Sequence, residues 1–371
     1  MDFEPIWLKH IKDQKVKTIL ITGCGGGFDF THSLLLIPTI IQLQKRFVII
    51  SNSFTQINLM KDYPVVYESK EDKRNIGRLI TPKETEFRGY FPEIHLANFL
   101  AQRYGQDHGN VVYGHNANET SHKSNVEFYS MIINQHSIDM VITIDGGSDS
   151  LMRGDENDVA TIYEDWLSLA TISDLIDQFK GQILYGDLLM VGIGVDRFHG
   201  ASDASSLRAI AELTRMGGFL GNCSIMPCSE GLHVYSDFIE YHNSKSSTSS
   251  IIQSMVLASS VGQFGPSSVK EIRCVERDLS NVPKSAINVL KLTQDGKDFS
   301  GCGNDRVDPK TTYIWPVMSN IYGFDIKVIV KRNPNVFLLR DEKIFTRFMK
   351  HRENMPVENF PRQQDICPFS S

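Results

Sequence analysis

The sequence has no apolar run long enough to cross a bilayer. The longest runs, such as residues 33–41, fall well short of the roughly 20 residues that a membrane-spanning helix needs. The N-terminus reads MDFEPIWLKH, is acidic first, and lacks the apolar core of a signal peptide. We therefore expect a cytoplasmic protein with no membrane partner.

A surplus of basic residues is also missing. Lys and Arg together number 38 and Asp and Glu 44, which gives a net charge of -6 at pH 7. Proteins that bind nucleic acids usually carry a basic surface, so we expect no nucleic-acid partner. The 371 residues, 41% of them hydrophobic, are ordinary for a globular chain with one large domain or two closely packed ones.

Cysteine is sparse, with six residues scattered along the chain and no CxxC pair. This spacing excludes a disulfide framework and does not favour a zinc ribbon. Cys24 stands apart because it lies inside a glycine-rich segment. A thiol near a helix N-terminus can have a lowered pKa and act as a nucleophile. The alternative is that Cys24 is a small residue that fits a tight turn.

Short runs rich in Val, Ile and Leu alternate with longer helical segments. Strands that alternate with helices and are apolar on both faces indicate a parallel sheet covered on both sides. We therefore predict an α/β fold with a doubly wound, mainly parallel, Rossmann-like sheet and helices on both faces. The predicted strands are residues 17–22, 47–51, 140–144 and 184–193. The predicted helices are residues 33–44, 93–104, 121–136, 159–179 and 205–216.

The pattern also divides the chain. Residues 1–235 are predicted to form the α/β core, and residues 236–371 a C-terminal extension packed on that core. Within the core, residues 62–89 are charged and poor in apolar side chains, so we expect an irregular excursion over the strand ends, or a lid. In the extension, residues 236–250 indicate a polar linker or loop ahead of a helix near residues 251–261, and residues 327–330 indicate a strand.

The first predicted strand runs into a glycine-rich turn, GCGGGFD, at residues 23–29. Glycines at such a turn let the backbone approach a ligand closely, and the N-terminus of the following helix attracts anions. The turn lacks the third glycine of the Rossmann signature and the lysine of the P-loop. We predict an anionic small-molecule ligand at this turn, whereas the alternative makes the aspartate a cap for the next helix. The candidate binding residues are Gly23, Gly25, Gly26, Gly27 and Asp29.

Two further predicted strands end in glycine and aspartate, in IDGGSDS at residues 144–150 and in GIGVDR at residues 192–197. Ligands of open parallel sheets bind outside the carboxyl ends of the strands, so we expect these loops to share one pocket with Asp29. The binding candidates here are Asp145, Gly146 and Gly147. The metal candidates are Asp145, Asp149 and Glu156, and the catalytic candidates are Asp149 and Asp196.

Carboxylates on a glycine-rich loop can bind Mg²⁺ or sugar hydroxyls, and the alternative is that they cap turns and the next helix. His115 is the third catalytic candidate. It follows a strand-like segment, residues 111–113, and precedes a predicted helix, which would place it on the same sheet edge. We predict a role as general acid or base, with a surface or turn histidine as the alternative.

Three motifs in this order carry a family resemblance: GCGGGFD, then DGGSDSLMRGDE, then GIGVDR followed by a helix that ends in MGGFLG. Together they resemble the uncharacterised "domain of unknown function 1152" family, which is mainly archaeal and bacterial. The likeness spans about residues 16–221. It implies the fold and the positions of the site, but no reaction. Residues 160–165 and 196–198 depart from the family pattern, so the resemblance implies no shared specificity.

Several carboxylates next to an anion site favour an enzyme that acts on a phosphorylated or nucleotide-like small molecule. The reaction would be hydrolysis or group transfer, assisted by carboxylates or a divalent metal. Mg²⁺ is the candidate cofactor, and no organic cofactor can be assigned. The first alternative is a non-catalytic nucleotide or metabolite sensor. The second is an NAD or FAD oxidoreductase, which is weaker because no acidic residue follows the second strand. Homo-oligomer formation is left open.

Overall fold

The computed structural model describes twelve stretches of the chain. They are residues 3–70, 76–83, 89–105, 111–115, 120–153, 162–195, 202–246, 248–263, 265–268, 311–314, 316–333 and 336. None of the helices in these stretches combines the length and the apolar character that crossing a bilayer requires.

A nine-stranded mixed sheet forms the centre of the described structure, and two short strands pair separately. The strands are β1 (Thr18–Gly23), β2 (Arg46–Ser51), β3 (Val65–Glu68), β4 (Ile76–Ile80), β5 (Val111–His115), β6 (Met140–Asp145), β7 (Tyr185–Val191), β8 (Phe219–Ser224), β9 (Gly265–Ser268), β10 (Thr311–Ile314) and β11 (Asn320–Asp325). The four longest predicted strands correspond to β1, β2, β6 and β7.

Helices connect and cover these strands. The α-helices are α1 (Ile6–Lys12), α2 (Ile37–Gln42), α3 (Pro92–Tyr104), α4 (His122–His136), α5 (Ile162–Gln178), α6 (Asp203–Arg215), α7 (Glu230–Lys245), α8 (Ile251–Ser260) and α9 (Ile326–Arg332). Short 3₁₀ helices cover Asp29–Leu35, Ile57–Leu59, Asp149–Leu151 and Pro316–Ser319. The first of these stands where the predicted helix after β1 begins.

The strand order across the large sheet is β3-β4-β5-β2-β1-β6-β7-β11-β8. The five central strands, from β5 to β7, are parallel to one another. At one edge β3 and β4 pair antiparallel, and at the other β11 is antiparallel to both β7 and β8. The fold is therefore mixed α/β, with a parallel centre and antiparallel edges, and not the mainly parallel sheet that the sequence predicted.

Both faces of the sheet are buried because successive residues of each central strand point into different cores. On β1, Ile19 and Ile21 belong to one hydrophobic core and Leu20 belongs to the other. Helices α1, α3, α7 and α8 cover the first core, and α4, α5, α6 and α9 cover the second. Because both faces are covered, the central strands are buried at almost every position, and most of their residues are apolar.

Three local predictions were wrong. Residues 62–89 contribute β3 and β4 to the sheet edge instead of forming only an irregular excursion. The predicted linker at residues 236–250 is largely the second half of α7, which buries Phe238, Ile239 and His242 at helical spacing. Residues 327–330 lie in α9 and not in a strand. Asp325 caps this helix by accepting hydrogen bonds from the N–H groups of Lys327, at 2.8 Å, and Val328, at 3.3 Å.

The predicted extension, residues 236–371, contributes to the same sheet as the predicted core. Its strand β11 lies between β7 and β8, and the predicted boundary after residue 235 falls inside α7. Strand β11 approaches α1 closely at Gly323, where a Cβ atom would lie 2.2 Å from Cδ1 of Trp7. A glycine is therefore required where α1 lies across β11.

Candidate functional site

The loops after β1 and β6 meet at the carboxyl edge of the parallel strands. These strands are neighbours, and the N–H of Cys24 donates to the carbonyl of Ile144 at 2.6 Å just beyond the ladder. The chain then leaves in opposite directions, towards β2 from β1 and towards β7 from β6. Such a divergence opens a crevice at the strand ends, which is where open α/β sheets bind ligands.

Asp29 links the two loops. Its Oδ2 accepts a hydrogen bond from the N–H of Gly25 at 3.0 Å, and its Oδ1 accepts one from the N–H of Gly146 at 3.3 Å. The 3₁₀ helix begins at Asp29 itself and has no side-chain cap. The alternative prediction, in which Asp29 caps the next helix, is therefore wrong. Two of the loop amides that could hold an external anion donate to this carboxylate instead.

Two glycines let carboxylates approach the backbone. A Cβ atom on Gly25 would lie 2.5 Å from Oδ1 of Asp165 and 2.9 Å from Oδ2 of Asp29. A Cβ atom on Gly146 would lie 3.1 Å from Oδ1 of Asp29 and 2.6 Å from Nε2 of His32. Side chains at these positions would displace the acidic groups, so the glycines define the geometry of the site.

The remaining glycine candidates shape the same loops. Gly23 is the last residue of β1. A Cβ atom on Gly26 would lie 2.3 Å from Cζ of Phe54, so the turn lies directly against that ring. Gly27 has a φ of 74° and Gly147 a φ of 155°, values that favour glycine. The prediction that a glycine turn connects the first strand to a helical segment is confirmed, since the 3₁₀ helix begins at Asp29.

Asp29, Asp145 and Asp165 form what we call the carboxylate centre. One oxygen atom from each lies within 4.8 Å of the others. All three residues are buried, with exposed fractions of 9%, 2% and 2%. Asp29 begins the 3₁₀ helix after β1, Asp145 is the last residue of β6, and Asp165 comes from the first turn of α5. The structure thus joins two predicted site residues with one that the sequence reasoning missed.

Electrostatic repulsion is strong at this centre. Burial raises the pKa of Asp165 well above its usual range, and the charges of Asp149, Asp145, Asp29 and Glu164 raise it further. The Oδ2 atom of Asp165 has no hydrogen-bond partner among the described residues. A buried carboxyl group in this setting needs either a proton or a cation, because adjacent carboxylates cannot all ionise without compensation.

The spacing of these oxygens suits one hard cation. Ligand oxygens around octahedral Mg²⁺, at 2.0–2.1 Å from the metal, lie about 2.9 Å apart when adjacent and about 4.1 Å apart when opposite. Ca²⁺, with its longer bonds, allows up to about 5 Å. Three carboxylate oxygens within 4.8 Å therefore fit either ion with small adjustments. Carboxylates are also the ligand type that these ions prefer.

Asp149 lies close enough for its charge to act on both Asp165 and Cys24. It is the first residue of a 3₁₀ helix and is buried. Asp145 also has a structural contact, because its Oδ2 accepts hydrogen bonds from the N–H and the hydroxyl of Ser150. The metal candidate Glu156 and the catalytic candidate Asp196 lie outside the described residues.

His115 is the last residue of β5, two strands away from β1 in the sheet. Its imidazole is fully buried, with ring centroids 4.6 Å from Phe128 and 6.3 Å from Tyr67. Burial lowers the pKa of His115 to about 3, so the ring is neutral near pH 7. The structure therefore places this candidate in an aromatic cluster and not at the carboxylate centre.

Cys24 is a residue of the glycine turn, and its side chain is buried, with Sγ 3.8 Å from the backbone carbonyl oxygen of Asp165. Burial raises the pKa of its thiol well above the usual value, and the negative charges of Asp165 and Asp145 raise it further. A nucleophilic cysteine needs the opposite shift. The geometry fits the interpretation of Cys24 as a small residue in a tight turn.

Comparison with protein families gives one match. The family model described as "Protein of unknown function (DUF1152)" matches residues 102–294, just over half of the chain. This match confirms the resemblance drawn from the sequence motifs. It includes the Asp145–Asp149 loop and Asp165, but not the glycine turn at residues 23–29. No curated protein matches the chain, and no solved structure matches it.

Proposed function

The chain belongs to the DUF1152 family of proteins of unknown function, and we propose from its site geometry that it is a metal-dependent enzyme. Its substrate would be a phosphorylated or nucleotide-like small molecule, and its reaction hydrolysis or group transfer. The observation that supports this proposal is the buried convergence of Asp29, Asp145 and Asp165 at the carboxyl edge of the sheet.

A divalent cation explains why these acidic groups are buried together. Without a cation, burial and mutual repulsion raise the pKa of Asp165 and so favour its protonated form. Mg²⁺ would replace that proton and neutralise the neighbouring charges. In the proposed arrangement Asp29, Asp145 and Asp165 would hold the metal, while Asp149 would help to activate a water molecule or orient the reacting group.

The anionic part of the substrate would bind through the metal. Mg²⁺ in enzymes commonly takes one or two protein carboxylates and completes its coordination with water and substrate phosphate. A bare phosphate would be repelled by the carboxylate centre, and the N–H groups of Gly25 and Gly146 already donate to Asp29. The cation is therefore the group that makes an anion site next to the glycine turn possible.

We also propose that the central strands form a doubly wound, Rossmann-like unit. The order β5-β2-β1-β6-β7 supports this proposal, because successive connections run outwards in both directions from β1 and β6. The side chains of α3 belong to one core and those of α4 and α5 to the other. In such a unit the ligand binds between β1 and β6, which is where the carboxylate centre lies.

A thermal-shift screen coupled to a turnover assay tests the proposed function. Nucleotides, sugar phosphates and dinucleotides are added with and without MgCl₂ to the wild type, to Asp145→Asn, and to the control Asp62→Asn. Asp62 is a suitable control because its side chain is 61% exposed. We expect metal-dependent stabilisation of the wild type and the control, turnover of a phosphorylated compound, and loss of both effects in Asp145→Asn.

Other outcomes of the same screen would contradict the proposal. Stabilisation by NAD without metal would favour an oxidoreductase, and tight metal-dependent binding without turnover would favour a sensor. A wild type that responds to no metal would overturn the metal-dependent mechanism. Circular dichroism of Asp145→Asn shows whether the variant keeps its fold, since Asp145 also accepts hydrogen bonds from Ser150.

A further inference from the structure

A small polar cavity lies beside the carboxylate centre, at the carboxyl end of β2. Gly25, Asn52, Asn125, Glu164 and Ser168 are among the residues that line it. Its volume is about 10 Å³, which is room for one group the size of a water molecule. Gly25 borders both the cavity and the carboxylate centre, so a ligand atom in the cavity would be close to the proposed metal.

A chain of hydrogen bonds fixes the orientation of the Asn52 amide. Its Nδ2 donates to the hydroxyl of Tyr129 at 3.1 Å and to the hydroxyl of Ser168 at 3.4 Å. The Tyr129 hydroxyl lies 2.7 Å from Oγ1 of Thr22, which in turn donates to the carbonyl of Gly23 at 3.3 Å. These hydrogen bonds can all point the same way, with each group donating to the next one from the Asn52 amide to the end of β1. The amide nitrogen of Asn52 is therefore occupied, and its oxygen is free to accept.

Two buried acceptors remain unpaired at this cavity. Neither Oδ1 of Asn52 nor Oδ1 of Asn125 has a hydrogen-bond partner among the described residues. Asn52 is 5% exposed and Asn125 is 2% exposed, so solvent does not readily satisfy them. Buried polar atoms without a partner are rare in folded proteins and require an explanation. Two such acceptors lining one cavity indicate a bound hydrogen-bond donor.

We infer that this cavity is a subsite for a hydroxyl group of the ligand, so that the substrate class is phosphorylated sugars or nucleotides with a free hydroxyl. The inference rests on the proposed function, because the phosphate would bind through the metal at the neighbouring centre. A hydroxyl group matches the lining in both directions, since it donates one hydrogen bond and accepts others. Its single proton can go to one Asn oxygen or be shared between the two in a three-centre hydrogen bond, and the Ser168 hydroxyl, which accepts from Asn52, can donate to its oxygen. An ammonium group could only donate.

Isothermal titration calorimetry on the full chain with saturating MgCl₂ tests this subsite. The probes are AMP, its 2′-deoxy and 3′-deoxy analogues, and the pair ribose 5-phosphate and 2-deoxyribose 5-phosphate. For the wild type, we expect removal of the recognised hydroxyl to weaken binding by about 10- to 100-fold, because the Asn oxygen that accepts its proton is then left unpaired.

Two variants connect this discrimination to the cavity. Asn125→Leu keeps the size of the side chain but removes its acceptor, and Asn52→Ala removes the second acceptor. We expect each variant to discriminate hydroxyl from deoxy probes less than the wild type does, and the double variant to bind both kinds of probe with nearly equal affinity. The thermal response to MgCl₂ alone should be unchanged in all three. Asn134→Leu is the matched control because Asn134 is an exposed residue of the same helix, α4. This control should discriminate as the wild type does.

The outcomes separate this inference from the proposed function. Mg²⁺ binding by the wild type without hydroxyl discrimination, or with none of the probes bound, would overturn the subsite and leave the metal centre standing. The cavity would then be the site of a resident water molecule. Discrimination that is as strong in both cavity variants and in the double variant as in the wild type would also overturn it. A wild type that binds no Mg²⁺ would contradict the proposed function and this inference together.

Discussion

Replacing His115 with Gln should make the protein less sensitive to acid. Burial between aromatic rings lowers the pKa of His115 to about 3, whereas an unfolded histidine has a pKa of about 6.5. The folded state therefore binds fewer protons than the unfolded state between these two values. The stability that comes from the neutral ring is present above about pH 6.5 and is lost as the pH falls towards 3.

The size of this effect follows from the two pKa values. At about pH 5 the pH is about 1.5 units below the pKa of the unfolded histidine, and each unit is worth about 1.4 kcal/mol. The free energy of unfolding is therefore about 2 kcal/mol lower than at pH 7.5. A Gln side chain does not titrate and avoids this loss. Urea unfolding of the wild type and of His115→Gln at both pH values measures the difference, and His233→Gln at an exposed position is the control.

The comparison depends on the change with pH and not on the stability of the variant at one pH, so a packing defect in His115→Gln does not obscure it. Equal losses of stability in the wild type and in His115→Gln would refute the reasoning. Such a result would mean that His115 titrates near its ordinary value and is accessible to protons. Its predicted role as general acid or base would then regain support.

Three further predictions concern other buried groups. Burial raises the pKa of Asp187 to about 6, so its ionised form destabilises the folded state. Asp187→Asn should therefore raise the free energy of unfolding by about 3 kcal/mol at about pH 8 and change it little near pH 4. A variant that is less stable than the wild type at pH 8 in urea unfolding would contradict this. Gly26→Ala should lower that free energy by about 1–3 kcal/mol because its Cβ atom would meet the ring of Phe54. Adding Phe54→Leu should recover part of the loss, and strict additivity in the double-mutant cycle would argue against the contact. Iodoacetamide should alkylate exposed Cys228 but not buried Cys24 in the native protein; peptide mass spectrometry showing rapid modification of Cys24 would refute its burial.

Part of the site could be predicted because parallel strands bring their carboxyl ends to one edge. Asp29 follows the glycine turn at the end of β1, Asp145 ends β6 directly before Gly146 and Gly147, and the structure places their oxygens together. Asp165 could not be placed in this way, because it lies on α5 and reaches the centre only through the packing of that helix over the loops. An acidic residue in the first turn of a helix usually indicates no more than a favourable interaction with the helix dipole. The available signal was the pair Glu164 and Asp165 directly after the acidic loop.

The parallel centre of the sheet was predictable for a different reason. Strands buried on both faces are continuous apolar runs, and β1, β2, β6 and β7 all have this form. The antiparallel strands give weaker signals. Strand β3 has four residues, none of them buried, and β11 pairs with β7 and β8, which lie far earlier in the sequence. Helix α9 contains a run of β-branched residues that is typical of a strand. Its N-cap residue, Asp325, stabilises the helix instead.

The central claim is that Asp29, Asp145 and Asp165 together hold one divalent cation. The most direct test is anomalous diffraction from crystals of the full chain soaked in MnCl₂, since Mn²⁺ accepts the same oxygen ligands as Mg²⁺. We predict one strong anomalous peak bonded to an oxygen atom from each of these three residues. Crystals with no peak at the carboxylate centre, or with the three carboxylates turned away from the bound ion, would contradict the claim.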